Sequence, residues 1–176
     1  MTIDLGAARE IDAQAYGEPG QRTFRLRILG VKGESASLWV EKEQVQALSM
    51  AFSQVLAQLD QEEAPARDIQ AFPDHPEYEF RVGRMAIGFD PSDESVLLNA
   101  YELGAATEDD ENPDLRMRLS KAQCASLNSR LKEIIVGGRP VCPLCGVVLD
   151  PAGHACIRSN GHSKQPIPEE GEEEEE

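Results

Sequence analysis

Three of the chain's four cysteines and two of its three histidines lie in one short segment, Val141 to His162. Cys142 and Cys145 stand in the turn C-P-L-C-G, where one tight turn can present both thiolates to a single ion. The sequence D-P-A-G then reverses the chain, and His154 and Cys156 follow at alternate positions, which point the same way in an extended segment. Thiolate and imidazole ligands at this spacing predict a tetrahedral zinc site.

His162 is an alternative ligand in place of His154, because the spacing C-x2-C-x10-C-x5-H is also feasible. Asp150 is the one acidic residue nearby, whereas catalytic zinc keeps an open coordination position and a carboxylate base. Four local protein ligands would close the coordination shell, so we predict one structural zinc ion. The opposing interpretation, reduced cysteines without metal, leaves a Gly- and Pro-rich segment with little core to hold it together.

The charge of the chain limits its partners. The formal net charge is −15, and the chain ends in P-E-E-G-E-E-E-E-E. Duplex nucleic acid is an unfavourable partner for such a chain, because phosphate binding needs clustered Lys and Arg. Residues 165–176 carry nothing to bury, so we predict a disordered acidic tail. A protein partner is the better expectation, and the sequence does not indicate the oligomeric state.

Hydropathy and cysteine use indicate the compartment. No window approaches the roughly 18 apolar residues of a membrane helix, and the N-terminus M-T-I-D-L-G-A-A-R-E lacks a basic segment followed by an apolar one. We therefore predict a cytoplasmic protein without membrane contact, in which the cysteines stay reduced and available to a metal.

Residues 1–138 predict an α+β body of two similar halves, about 1–60 and 77–138, each a small antiparallel sheet with one helix. Alternating apolar residues indicate strands and a three- to four-residue period indicates helices. The predicted strands are Arg22 to Leu29, Ser35 to Val40, Tyr78 to Phe89, Ser95 to Leu103 and Leu115 to Leu119, with an earlier strand allowed in Ala7 to Ala15; the predicted helices are Glu41 to Leu59 and Ser120 to Val136. A zinc knuckle at 139–164 follows this body.

Internal duplication follows from the two helix starts. Trp39 to Leu48 aligns with Arg118 to Leu127, with a Lys, a Gln and a Leu at matching positions. The alignment places Cys124 opposite Val45 on the apolar side of the helix, so we predict that Cys124 is a core residue. A distant metal ligand or a reactive thiol is the alternative for this cysteine.

Catalytic motifs are absent from the sequence. It contains no G-x-G-x-x-G, no G-x-x-x-x-G-K-[ST], no G-x-S-x-G and no H-E-x-x-H. His75 stands alone between two prolines, and the acidic loop from Glu108 to Asp114 lacks the ligand spacing of a dedicated calcium loop. We therefore predict no catalytic residue and lean away from an enzyme.

Four segments of the chain resemble DUF3090, a bacterial family of unknown function found mainly in actinobacteria and Chloroflexi. They are E-P-G-Q-R-T-F, V-E-K-E-Q-V-Q-A-L, E-F-R-V-G-R-M-A-I-G and the cysteine-rich segment from Gly138 to His162. Members of the family often have C-P-R-A-N-G-Y where this chain reads C-I-R-S-N-G-H. The resemblance therefore implies that His162 is dispensable and favours His154, and it carries no activity with it.

Three functions remain open from the sequence. The first is a zinc-binding, non-catalytic interaction or adaptor protein, which an exposed apolar patch would favour. The second is an enzyme with dispersed active-site residues, which a pocket of converging polar groups would favour. The third is a binder of single-stranded nucleic acid that uses the knuckle, which a positive stripe joining Arg25 and Arg27 to Arg139 and Arg158 would favour.

Overall fold

The computed structural model describes residues 1–18, 20–69, 72–104 and 112–137. All of them belong to one compact unit, Met1–Gly137. Its elements are β1 (Ile3–Tyr16), β2 (Thr23–Gly30), β3 (Ser35–Val40), α1 (Lys42–Gln58), β4 (Tyr78–Asp90), β5 (Ser95–Glu102), β6 (Leu115–Leu119) and α2 (Lys121–Val136). The predicted zinc knuckle at 139–164 and acidic tail at 165–176 lie outside the described residues. Within those residues no helix is long and apolar enough to cross a membrane.

The six strands close into one barrel in chain order. β1, β2 and β3 are antiparallel neighbours, and so are β4, β5 and β6. Two parallel pairs, β3 with β4 and β6 with β1, join the two halves. The α+β class is confirmed, with three strands and one helix in each half. The expectation of two small sheets is corrected to one barrel, because a separate three-stranded sheet would leave open edges that closure removes.

One apolar cluster fills the barrel and the space under the helices. The inward positions of the strands alternate with exposed or half-buried ones, as a pleated strand facing a core requires. Both helices add their apolar stripes to the same cluster. Side chains with no exposed surface include Leu26, Ile28, Leu38, Leu98, Met117, Val45, Phe52, Cys124 and Leu131. Burial of each large apolar side chain stabilises the fold by about 1.5–3 kcal/mol.

A side chain at the start of α1 forms hydrogen bonds to β4 where the pairing of that strand is interrupted. The backbone N–H of Glu41 donates to Oε1 of Gln44 at 2.8 Å, which forms one arm of a capping box. Nε2 of the same glutamine donates to the carbonyl oxygens of Val82 and Gly83 at 3.0 and 3.2 Å. The register of β4 against β5 shifts at these residues, as at a β-bulge, where ladder bonds are lost. One glutamine side chain thus serves the helix cap and the strand.

A side chain at the start of α2 forms the equivalent hydrogen bond to β1. The N–H of Ser120 donates to Oε1 of Gln123 at 2.9 Å, and Nε2 of Gln123 donates to the carbonyl oxygen of Ala8 at 2.7 Å. The register of β1 against β2 shifts immediately after Ala8. Gln44 and Gln123 are the aligned glutamines of the two helix starts. Each half therefore uses a glutamine at the same position to link its helix to an interrupted strand.

The two helices meet at another aligned pair. Oγ of Ser49 donates to Oδ1 of Asn128 at 2.7 Å, and Nδ2 of Asn128 donates to Oγ of Ser53 at 2.9 Å. Ser49 and Asn128 are both buried and occupy equivalent positions in α1 and α2. A buried polar group needs such a partner, so this small network fixes how the helices face each other.

A side chain from the first half closes the last turn of α2. The guanidinium of Arg22 donates to the carbonyl oxygens of Ile134, at 3.4 Å, and Gly137. Gly137 ends the helix in the left-handed conformation with φ 65°, and a Cβ atom there would overlap the Arg22 guanidinium. The helix end therefore needs glycine for its backbone angle and for the space that Arg22 occupies.

We expect Gly137→Ala to destabilise the barrel more than Gly33→Ala does. Gly33 also has a positive φ, of 94°, but no atom lies within 4 Å of where its Cβ would be. Gly33→Ala should therefore lower the free energy of unfolding only through the unfavourable backbone angle, by about 1 kcal/mol. Gly137→Ala should cost about 1 kcal/mol more, because Arg22 must give up a hydrogen bond. Urea unfolding measures both, and equal losses would contradict this account of the helix end.

We expect Gln123→Glu to lower the free energy of unfolding by about 1–3 kcal/mol at neutral pH. Glutamate keeps the acceptor for the Ser120 N–H but, when ionised, cannot donate to the Ala8 carbonyl. Protonation restores a donor, which raises the pKa of this glutamate in the folded state, so the difference from wild type should shrink as the pH falls toward about 4. Gln46→Glu, on an exposed position of α1, is the matched control. A loss of the same size in the control would assign the effect to charge rather than to the bond.

Candidate functional site

The predicted zinc ligands Cys142, Cys145, His154 and Cys156, and the alternative His162, all lie outside the described residues. The zinc site therefore stays a prediction. Among residues 1–18, 20–69, 72–104 and 112–137, no group of three or more His, Cys, Asp or Glu side chains is arranged to hold a metal ion.

Cys124 is a core residue, as predicted. Its side chain has no exposed surface, and burial raises the pKa of its thiol to about 12. A thiol with that pKa is essentially un-ionised at neutral pH, whereas nucleophilic attack and metal binding need the thiolate. The aligned Val45 is equally buried. The complete burial of Cys124 thus favours a core residue over a reactive thiol or a distant metal ligand.

A cleft of about 790 Å³ lies between β1 and the start of α2. Four of its charged side chains take part in ion pairs: Asp93, Glu94, Arg118 and Lys121. Arg118 pairs with Asp90 at 3.1 Å and with Asp93 at 3.0 Å, and Lys121 pairs with Glu94 at 3.4 Å. Hydrogen bonds from Ser92 and Ser95, and then from Arg118, lower the pKa values of Asp90 and Asp93. These two carboxylates are ionised at neutral pH and are poor candidates for a general acid.

Arg130 of α2 lies next to this cleft. Its guanidinium lies 3.1 Å from Asp12, 2.7 Å from Asp68 and 2.9 Å from Glu133. Desolvation raises the pKa of Asp12, and Arg130 opposes that rise. Arg130 also donates to the backbone carbonyl of Arg67 at 3.1 Å. It therefore fastens the connection between α1 and β4 to the body, which is a structural role.

Two arginines on the outer face of β2 are held by aromatic side chains. The guanidinium of Arg25 lies 4.9 Å from the ring centre of Tyr16 and 5.2 Å from that of Trp39. Arg27 lies 4.8 Å from the ring centre of Phe72 and donates to its carbonyl oxygen at 3.2 Å. These cations and rings are engaged with one another, so base stacking would have to displace existing contacts. Arg139 and Arg158, the rest of the hypothetical positive stripe, lie outside the described residues.

A groove of about 380 Å³ runs between α1 and β4, and it differs in character from the cleft at α2. Its lining consists of Gln44, Ala47, Leu48, Ala51, Gly83, Arg84, Met85 and Ile87. Beside it Met50 projects into solvent with 66% of its surface exposed. The whole segment from Gln44 to Leu59 carries no charged side chain. The groove and Met50 thus form a partly apolar exposed surface, with Gln44 and Arg84 among the polar residues that line it.

The sequence of α1 contains this signal, although its apolar period alone identifies only the buried face of the helix. Charged residues make up 28% of the chain, so an exposed helical face without any is informative. The informative signal is the absence of charge on the outer positions Ala47, Met50 and Gln54, all of which are exposed.

Comparison with known proteins gives one result. The model of the family DUF3090, described as a protein of unknown function, matches residues 5–156. No curated protein and no solved structure matches the chain significantly. The matched range includes the barrel, both helices and the predicted ligands Cys142, Cys145, His154 and Cys156. The chain therefore belongs to the DUF3090 family of proteins of unknown function.

Proposed function

We propose that the protein is a non-catalytic interaction or adaptor protein of the bacterial cytoplasm, which binds a protein partner through the groove between α1 and β4. The observation that carries this proposal is the uncharged outer face of α1 beside an apolar groove. Interface cores are depleted in charged residues and enriched in methionine, and methionine adapts its shape to different partners. Met50, Ala47 and Ala51 fit that description.

The contrast between the two helices strengthens the proposal. The outer face of α2 carries Arg130, Lys132 and Glu133, each engaged in an ion pair. The chain is rich in charged residues and has a net charge of −15. Charged residues would interact with water better than the uncharged residues on this helical face do. A partner that removes this face from water explains its composition, because burying apolar surface contributes about 25 cal/mol per Å².

The polar clefts support a role without catalysis. Arg118 and Lys121 at the start of α2 are paired with carboxylates, and burial raises the pKa of the Cys124 thiol. A general acid or base works best with a pKa near the ambient pH. Asp90 and Asp93 instead have lowered pKa values.

We further propose that Cys142, Cys145, His154 and Cys156 hold one structural zinc ion. Three thiolates and one imidazole match the preference of zinc for sulfur and nitrogen ligands and complete a tetrahedral shell. All four residues fall within the range shared with the family. On this proposal the metal maintains the fold of the C-terminal knuckle and takes no part in a reaction.

The first test of the proposed function is affinity capture from the native host with the full chain as bait. We expect a specific protein partner, and we expect Ala51→Arg to reduce its recovery about tenfold or more, because a buried unpaired charge costs well over the 1.4 kcal/mol that a tenfold change represents. Gln46→Arg adds the same charge outside the groove and should leave recovery unchanged. Equal capture by both variants would show that the partner binds elsewhere.

The second test concerns the metal. We expect the protein purified under reducing conditions to contain about one zinc per chain. The double variant Cys142→Ser/Cys145→Ser should lose it, because serine is not a thiolate donor, while Cys124→Ala should keep it. Far-ultraviolet circular dichroism should show the strands and helices of the barrel intact in all three proteins. Less than roughly a tenth of an equivalent of zinc in the wild type would rule out the site.

A further inference from the structure

Two buried polar atoms lie on the same outer face of β2 and β3. They are Oγ of Ser37, a residue that is 2% exposed, and Nε of Arg25. Neither atom has a hydrogen-bond partner among the described residues. Arg25 lies opposite Trp39 in the ladder, and Ser37 lies two positions from Trp39, so the two side chains are diagonal neighbours within reach of each other. A buried polar atom without a partner is rare in a folded protein and requires an explanation.

The other contacts of Arg25 do not use Nε. Its terminal nitrogen donates to Oε1 of Gln14 at 3.4 Å and to the hydroxyl of Tyr16, and its guanidinium lies over the rings of Tyr16 and Trp39. Nε–H is a donor that needs an acceptor, whereas the hydroxyl of Ser37 can donate or accept. One small molecule that accepts from Arg25 and bonds to Ser37 therefore satisfies both atoms.

A small cavity lies beside these two residues. Its volume is about 10 Å³, and Arg25 and Ser37 are among the residues of β2 and β3 that line it. The remaining wall consists of Phe72, Pro73 and Pro76. A volume of roughly 10–15 Å³ is needed to hold one water molecule. The size of the cavity therefore limits its occupant to a single small particle.

The wall that faces the sheet is fixed by hydrogen bonds at both ends. The guanidinium of Arg27 donates to the carbonyl oxygens of Phe72 at 3.2 Å and Pro73 at 3.3 Å. The N–H of Glu77 donates to Oγ of Ser35 at 3.0 Å. These bonds hold the stretch from Phe72 to Glu77 against β2 and β3, and its two prolines have no N–H with which to satisfy an acceptor in the cavity.

We propose that the cavity binds one buried water molecule, which accepts a hydrogen bond from Nε of Arg25 and bonds to Oγ of Ser37. Water suits the site because it both accepts and donates, and a buried water needs two to four polar partners. A halide ion accepts but cannot donate, and the guanidinium groups of Arg25 and Arg27 repel a metal cation. This inference goes beyond the proposed function and does not depend on it.

The water gives the site a structural role. It bonds to a residue of β2 and a residue of β3 under the covering stretch, so it adds a link between the two strands that the backbone ladder does not supply. It also holds Nε of Arg25 in place while the rings of Tyr16 and Trp39 contact the guanidinium from outside. The position of the exposed end of Arg25 thus depends on a buried solvent molecule.

Replacement of Ser37 distinguishes a hydrated cavity from a dry one by the sign of the change in melting temperature. Valine is larger than serine, so Ser37→Val expels the water and leaves Nε of Arg25 without a partner. We expect the melting temperature to fall by about 2–4 °C. Ser37→Ala removes the hydroxyl but leaves room for the water, so it should cause a smaller fall. In a dry cavity, valine would fill space and remove an unpaired hydroxyl. A melting temperature raised by Ser37→Val would therefore overturn the inference.

A second background separates the lost hydrogen bond from steric strain. Arg25→Met removes Nε, so no donor is left unpaired when Ser37→Val is added to it. We expect Ser37→Val to lower the melting temperature of the Arg25→Met protein by less than about 1 °C, as a double-mutant cycle for two coupled residues requires. A fall as large as in the wild-type background would show that valine is simply too large for the site.

A crystal structure of the full chain identifies the occupant directly. We expect one solvent peak about 2.7–3.2 Å from both Nε of Arg25 and Oγ of Ser37, and no anomalous signal at that position after a bromide soak. An anomalous peak there would assign the cavity to an anion. The lack of any solvent peak would show that no molecule binds. Either result would overturn the proposal.

Discussion

The parallel pairing of β1 with β6 and of β3 with β4 is the constraint on which the rest of the fold depends. Ile3 pairs with Leu115, and Ala36 pairs with Tyr78. Closure gives every strand two neighbours, which removes open edges, and β1 and β4 each contain a register shift. Gln44 and Gln123 satisfy carbonyl groups at those interruptions. Each helix start is therefore linked by a hydrogen bond to a strand of the barrel.

The secondary structure of the barrel could be predicted closely from the sequence. β3 and β6 have the predicted bounds, and both helices agree with prediction to within a residue or two at each end. Periodicity identifies which face of an element is buried, and the alignment of the helix starts predicted the buried position of Cys124 correctly. Periodicity does not identify a strand's neighbour, because pairing of β1 with β6 depends on contacts between residues far apart in sequence. The parallel pairs and the closed barrel were therefore missed.

The uncharged exposed face of α1 could be predicted from the sequence, whereas the groove between α1 and β4 could not. An uncharged exposed helix can be recognised once the helix is predicted. That Ala51 corresponds to Arg130, and that Arg130 fastens residues 61–69, requires the fold. The two helices thus differ in chemistry at equivalent positions: α2 carries charged side chains that hold residues 63–68, whereas α1 carries uncharged ones.

The pairing of the first strand with the last also sets the order in which the protein can form on the ribosome. β1 gains its second neighbour only when β6 has been made, and its interrupted register is completed by Gln123, later still. At about 5–20 residues per second, the first strand waits on the order of ten seconds with one edge open. During that interval the β1–β2–β3 sheet offers hydrogen-bonding groups to any other nascent chain. The rate of synthesis thus sets how long this strand edge stays open.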